Sequence, residues 1–110
     1  LLNSLVMSEE LDFKEAMAVA YGDLGLIHRR RAELDEAEEM HLRGLEIEQE
    51  LNHQAGMAAT YMNLGAVYEL RDNRNRAMEY YKMSLDLYRA LGDQDNVVLV
   101  ESWIARLQLQ

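Results

Sequence analysis

Apolar residues recur at helical spacing along most of the chain. Tyr61, Leu64, Val67 and Tyr68 make one stripe, and Tyr81, Leu85 and Tyr88 make another. A period near 3.6 residues gives each helix one face to bury and one to leave in water. Short polar interruptions separate the stripes at Ala32–Glu33, Asn52–His53, Asp72–Asn73 and Gly92–Asp93. Asn, Asp and Gly tolerate the left-handed conformation in which helices commonly end, so these dipeptides predict turns. The pattern predicts six helices, over about residues 2–10, 14–31, 34–51, 55–71, 74–91 and 95–109. Connections of only two or three residues force neighbouring helices antiparallel.

Shifting the sequence against itself by forty residues places Met17 on Met57, Tyr21 on Tyr61, Leu24–Gly25 on Leu64–Gly65, Ala37 on Ala77, Leu45 on Leu85 and Leu51 on Leu91. The register reaches the start of the chain, where Ser4–Met7 matches Ser84–Leu87. A fixed two-helix repeat makes every pair stack on the last in the same way. The expected fold is therefore all-α, an α-solenoid of antiparallel helical hairpins in a single domain. Residues 1–12 read as the second helix of a preceding unit, 13–52 as the first full repeat, 53–92 as the second, and 93–110 as the first helix of a degenerate third unit.

Small residues sit at matching positions. Glycine in a helix interior costs about 1 kcal/mol relative to alanine, so Gly25 and Gly65 imply a close crossing of the two helices of each unit. Ala37 and Ala77 are expected to face that crossing. Tyr61, Leu64, Tyr68, Tyr81, Leu85 and Leu87 are expected to fill the core of the second unit, and Tyr21, Leu24, Leu45 and Ile47 that of the first.

The residues Tyr61, Leu64, Gly65, Tyr68, Ala77 and Tyr81 resemble the tetratricopeptide repeat, whose pattern is aromatic-x2-Leu-Gly-x2-Tyr followed by Ala-x3-aromatic. The first unit meets the pattern with Tyr21, Leu24, Gly25 and Ala37, but carries His28 and His41 at aromatic positions. The usual repeat is about thirty-four residues long and ends near a proline; here Gln49 and Arg89 take that place and the helix continues. That longer form is similar to the repeats of kinesin light chains and related bacterial proteins. The third motif is degenerate, with Glu101 for the aromatic and Ile104–Ala105 for Leu-Gly.

The resemblance implies a concave groove lined by the first helix of each unit. Carried over position by position, the groove takes Val19, Gly22, Asp23, Leu26, Arg29 and Arg30, then Ala59, Met62, Asn63, Ala66, Glu69 and Leu70, then Leu99, Ser102, Trp103 and Arg106. The core candidates for a peptide-binding site are Val19, Asp23, Leu26, Arg30, Met62, Asn63, Ala66, Leu70, Trp103 and Arg106. Family members that clamp a C-terminal carboxylate use basic residues and asparagines at particular groove positions. Gly22, Leu26, Leu99 and Trp103 occupy most of those here and only Asn63 matches, which argues against such a clamp. The implied function is a protein–protein interaction module presenting its groove to a peptide or helix. The alternative is a structural spacer or self-association segment of a longer array, with Leu99 and Trp103 covered by a further helix.

Composition narrows the chemistry. The chain has 110 residues, 49% hydrophobic and 28% charged, with no proline and no cysteine. It therefore lacks a disulfide, a thiolate nucleophile and a cysteine metal site, which suits a reducing, cytoplasmic compartment. Twenty acidic against eleven basic residues give a net charge of -9, the wrong sign for a nucleic-acid partner. Between Glu33 and Glu50 the acids have only Arg43 for balance, and read either as a solvated helix face or as a docking face for a basic partner. The longest apolar run, Val97–Val100, is too short to cross a bilayer.

No enzyme, cofactor or metal site is expected. His28 and His41 lie where one hairpin brings them near each other, but zinc needs further ligands, and both stand where the next unit has tyrosines. They read as packing residues that, if buried, lend the first unit pH sensitivity. His53 reads as an exposed turn residue. Glu38, Glu39, Glu46 and Glu50 lack the pocket that acid–base chemistry requires. The chain begins Leu1–Leu2 without a methionine and reads as an excised piece. Leu1, Leu2 and Leu5 make the start adhesive, as Leu99 and Trp103 do the end, so self-association is possible.

Overall fold

Each polar interruption is a turn of the same construction. The computed structural model describes residues 2–110 and places Ala32, Asn52, Asp72 and Gly92 in the left-handed region, at φ 60°, 53°, 60° and 71°. At Asp72 the two closing bonds run from the Asn73 N–H to the Tyr68 carbonyl at 2.9 Å and from the Asp72 N–H to the Glu69 carbonyl at 3.0 Å. The same pair recurs at Ala32, Asn52 and Gly92. These bonds satisfy carbonyls that a helix end leaves without partners. Ala32 adopts a conformation that costs an ordinary L-residue about 1–2 kcal/mol, so packing on either side, rather than residue preference, holds that turn.

The turns delimit five helices among the described residues: α1 (Leu2–Arg30), α2 (Leu34–Glu50), α3 (Gln54–Leu70), α4 (Arg74–Leu91) and α5 (Gln94–Gln108). Each packs mainly on its sequence neighbours, giving an elongated all-α array of 57 × 32 × 17 Å. Six helices were expected, and the missing break is the one near residue 12. Asp12 holds the register position of Ala32, Asn52, Asp72 and Gly92, yet it stays helical. A helix end forms where folding back buries a stripe, and tolerance of a turn is not enough. As a result Val6, Met7, Leu11 and Phe13 are between 45% and 69% exposed. Leu1 and the side chains of Leu2 and Leu5, expected to be adhesive, lie outside the described residues.

The straight run of α1 also overturns one core assignment. Leu64 is fully buried and clusters with Leu45 and Tyr61, whereas its counterpart Leu24 is 42% exposed. α2 covers that face of α3, and no helix among the described residues covers the same face of α1. The larger core cluster joins Ala58 of α3, Ala77, Tyr81, Leu85 and Tyr88 of α4, and Val97, Val100, Ile104 and Leu107 of α5.

The close crossings are present, but with aromatic rings against the glycines. A Cβ added to Gly65 would meet the Tyr81 ring at 2.6 Å, and one added to Gly25 would meet the His41 ring at 2.5 Å. Ala37 and Ala77 are fully buried; neither is the atom nearest the glycine.

The acidic helix α2 is not a uniformly solvated face. Arg71, at the end of α3, donates to Glu38 at 2.8 Å and pairs with Asp35, while the Tyr68 hydroxyl donates to Glu38 as well. Burial would raise the Glu38 pKa, but Tyr68 and Arg71 hold it below the ordinary carboxylate value. Glu48 is buried and accepts a bond from the Thr60 hydroxyl at 2.6 Å. These contacts join the first unit to the second.

Candidate groove on the face of α1, α3 and α5

Successive first helices contribute side chains at helical spacing to one side of the array. One concavity there has a volume of about 430 Å³ and is lined by Arg29 of α1, Ala66, Glu69 and Leu70 of α3, Tyr81 of α4, and Trp103 and Arg106 of α5. Four core candidates, Ala66, Leu70, Trp103 and Arg106, thus come together with two further groove positions, Arg29 and Glu69.

The floor is aromatic. Tyr81 and Trp103 have ring centroids 5.6 Å apart with planes tilted by 56°. The Tyr81 hydroxyl donates to Glu69 Oε1 at 2.7 Å, and Arg106 Nη2 donates to both Glu69 oxygens at 2.7 Å. Burial, and then the hydrogen bond to Glu69, raises the Tyr81 pKa. Glu69 is thereby neutralised, whereas Arg29 makes no ion pair or side-chain hydrogen bond among the described residues.

The remaining candidates do not join this cavity. Val19, 65% exposed, lines a second cavity of about 310 Å³ with Glu15, Ala18, Glu48, Leu51, His53 and Gly56. Asp23, Leu26, Arg30, Met62 and Asn63 line neither. Asp23 and Arg30 are exposed, Leu26 and Asn63 are half-buried, and Met62 packs against the core cluster around Tyr81.

The histidines separate. His28 Nδ1 lies 3.3 Å from Glu33 Oε1. His41 is 1% exposed, neither of its ring nitrogens has a partner, and burial together with the nearby Arg29 pushes its pKa down to about 4. Among the described residues no three His, Asp or Glu side chains are grouped to hold a metal, and no helix is long and apolar enough to cross a membrane.

Three residues escaped the sequence reading. Tyr81 was placed in the core, and the signal that it also reaches the groove is its hydroxyl, which a buried ring must satisfy. Glu48 shares the register of Tyr88, and Thr60 that of Val100. A polar pair standing where the next unit has an apolar pair was the available sign of a different junction.

Helical hairpins on a forty-residue register, each with a ring laid over a glycine, define an α-solenoid repeat protein. The sequence profile of the tetratricopeptide repeat matches residues 15–90, and the chain belongs to that family. Its members are repeat scaffolds that mediate protein–protein interaction. Among solved structures the fold is similar to the crystal structure of BtubC (BKLC) from P. vanneervenii, with a TM-score of 0.63 at 21% identity. That match covers 96% of this chain and 52% of the other, so the chain spans about half the length of BtubC. No curated protein matches the sequence.

Proposed function

We propose that the chain is an interaction module that receives a peptide or helix of a partner protein on the concave face of α1, α3 and α5. One observation carries the reading: a single cavity takes side chains from all three of these helices around the Tyr81–Trp103 floor. An aromatic floor suits an apolar side chain of the guest. At the rim, Arg29 has donors to spare for a guest carboxylate or carbonyl. Along the same face Asn63 can bond a guest backbone in both directions, and Met62 is an adaptable contact. Val19, Asp23, Leu26 and Arg30 would extend the surface along α1. The role is scaffolding, without catalysis or cofactor, in a cytoplasmic setting.

The test uses a peptide selected on the protein from a displayed library and measured by calorimetry. Arg29→Ala and Trp103→Ala are each expected to weaken binding at least tenfold, and Asn63→Ala with Arg30→Ala to weaken it further. Arg29→Ala breaks no ion pair or side-chain hydrogen bond among the described residues, so its circular dichroism spectrum should match the parent. Affinity unchanged in all three variants would refute the groove assignment.

A second reading is self-association, and one contrast favours it. Leu24 and Ile27 of α1 are 42% and 41% exposed, whereas their counterparts Leu64 and Val67 are fully buried. A second copy that covers this face would bury the same stripe. Light scattering should then show mass rising with concentration, and Leu24→Glu with Ile27→Glu should abolish the rise. A constant monomer mass would eliminate this reading.

A further inference from the structure

We infer that the second cavity, enclosed by α1, the end of α2 and the start of α3, is a binding site for a lysine side chain of a partner protein. Its charged and titratable lining residues are Glu15, Glu48 and His53, and no cation lines it. Ala18, Val19 and Leu51 supply the apolar walls. A lysine combines the matching features, an aliphatic stem and a charged tip. The chain's net charge of -9 favours the approach of a cation.

Glu48 is the centre of the site. It is 8% exposed and Thr60 donates to its Oε1, but its Oε2 has no hydrogen-bond partner among the described residues. That oxygen and His53 Nδ1 both stand against Gly56, where an added Cβ would lie 2.7 Å from the imidazole nitrogen and closer still to the carboxylate. Glycine therefore lets the two polar groups come together over its backbone. An ammonium is a compact charge with three separately directed donors and can take one acceptor from each of Glu48 and His53, a divided pair that matches the planar fork of a guanidinium less well. Burial raises the Glu48 pKa and outweighs the opposing effects of the Thr60 hydrogen bond and of His53. The next junction has no such site, because Tyr88 and Val100 replace Glu48 and Thr60 and both are buried in the core.

The two cavities can serve one guest. Val19 and Arg29 are ten residues apart on α1, about 15 Å along the axis at 1.5 Å per residue. An extended peptide covers that distance in roughly four or five residues. This spacing rests on the groove reading above, but the lysine site itself does not.

The experiment titrates the whole chain with N-acetyl-lysine methylamide and follows the backbone amide resonances of His53 and Gly56. The controls are the norleucine analogue, with a similar aliphatic chain and no ammonium, and the arginine analogue. Saturable shifts are expected with lysine, at least tenfold weaker binding with norleucine, and binding of intermediate strength with arginine. Glu48→Gln should lose the lysine response at least tenfold. The double variant Glu48→Tyr with Thr60→Val, which copies the next junction, should lose it while keeping the fold. No shift with lysine, an equal response to norleucine, or an unchanged response in Glu48→Gln would each overturn the site. None of these results touches the cavity at Arg29 and Trp103, so the two proposals fail separately.

Discussion

Gly65→Ala is expected to destabilise the protein by roughly 1–3 kcal/mol, while Gly22→Ala is expected to stabilise it by up to about 1 kcal/mol. Helix propensity favours alanine at both positions, so the opposite signs must come from space. At Gly22 nothing lies within 4 Å of the added Cβ, but at Gly65 it meets Cδ1 and Cε1 of Tyr81 at 2.6 Å each. The Tyr81 ring cannot easily retreat, being 1% exposed, bonded to Glu69 and set against Trp103. Gly25 is an intermediate case: its Cβ would meet the His41 ring, which no hydrogen bond holds in place. Denaturant unfolding of the three variants checks the order. A Gly65→Ala protein as stable as the parent would mean that the ring moves freely, and the packing account would fail.

The repeat made much of this architecture legible. Asn52, Asp72 and Gly92 announce turns by their tolerance of positive φ, and Ala32 follows from register although its own preference opposes it. Asp12 shows where register stops helping. It stands in the turn position with a tolerant side chain, and yet the helix runs through it. Burial on both sides decides whether a turn forms, and burial depends on neighbours that a local stretch does not specify. Leu24 failed as a core residue for the same reason.

The candidate groove was legible by position and less so by shape. Register assigned Ala66, Leu70, Trp103 and Arg106 to one face, and these do meet. It treated Val19 as equivalent, but Val19 lines a separate cavity of different chemistry. The division follows from substitutions between the units. Tyr81, Glu69 and Arg106 form a bonded set where the second unit meets the third, and where the first meets the second His41, Arg29 and Ala66 stand at the same register. Exchanging Glu69 for Arg29 leaves a cation without its acid, and exchanging Tyr81 for His41 leaves a ring without its acceptor.

That second exchange predicts an acid-sensitive fold. Lowering the pH from about 6.5 to 4 is expected to remove roughly 3 kcal/mol of stability through His41 alone. Burial in the first place, and Arg29 in the second, push its folded pKa down to about 4, below the value of about 6.5 in an unfolded chain. As the pH falls through this window the unfolded state takes up the proton first, so stability is present above about 6.5 and is lost toward 4. Glu48 acts in the opposite sense, since its raised pKa favours the folded state on acidification, and Glu38, held low, loses stability in acid. Comparison with His41→Phe cancels both carboxylates. A six-membered ring fits over the glycine at the equivalent place in the second unit, and phenylalanine has no nitrogens to leave unpartnered. The variant should be more stable at pH 7.5, and the parent's deficit should widen steadily down to pH 4 in urea unfolding. Parallel curves would show that His41 does not titrate in its burial site. A carboxylate bound at Arg29 would offset the field on His41, so occupation of the groove should make the parent's acid slope shallower.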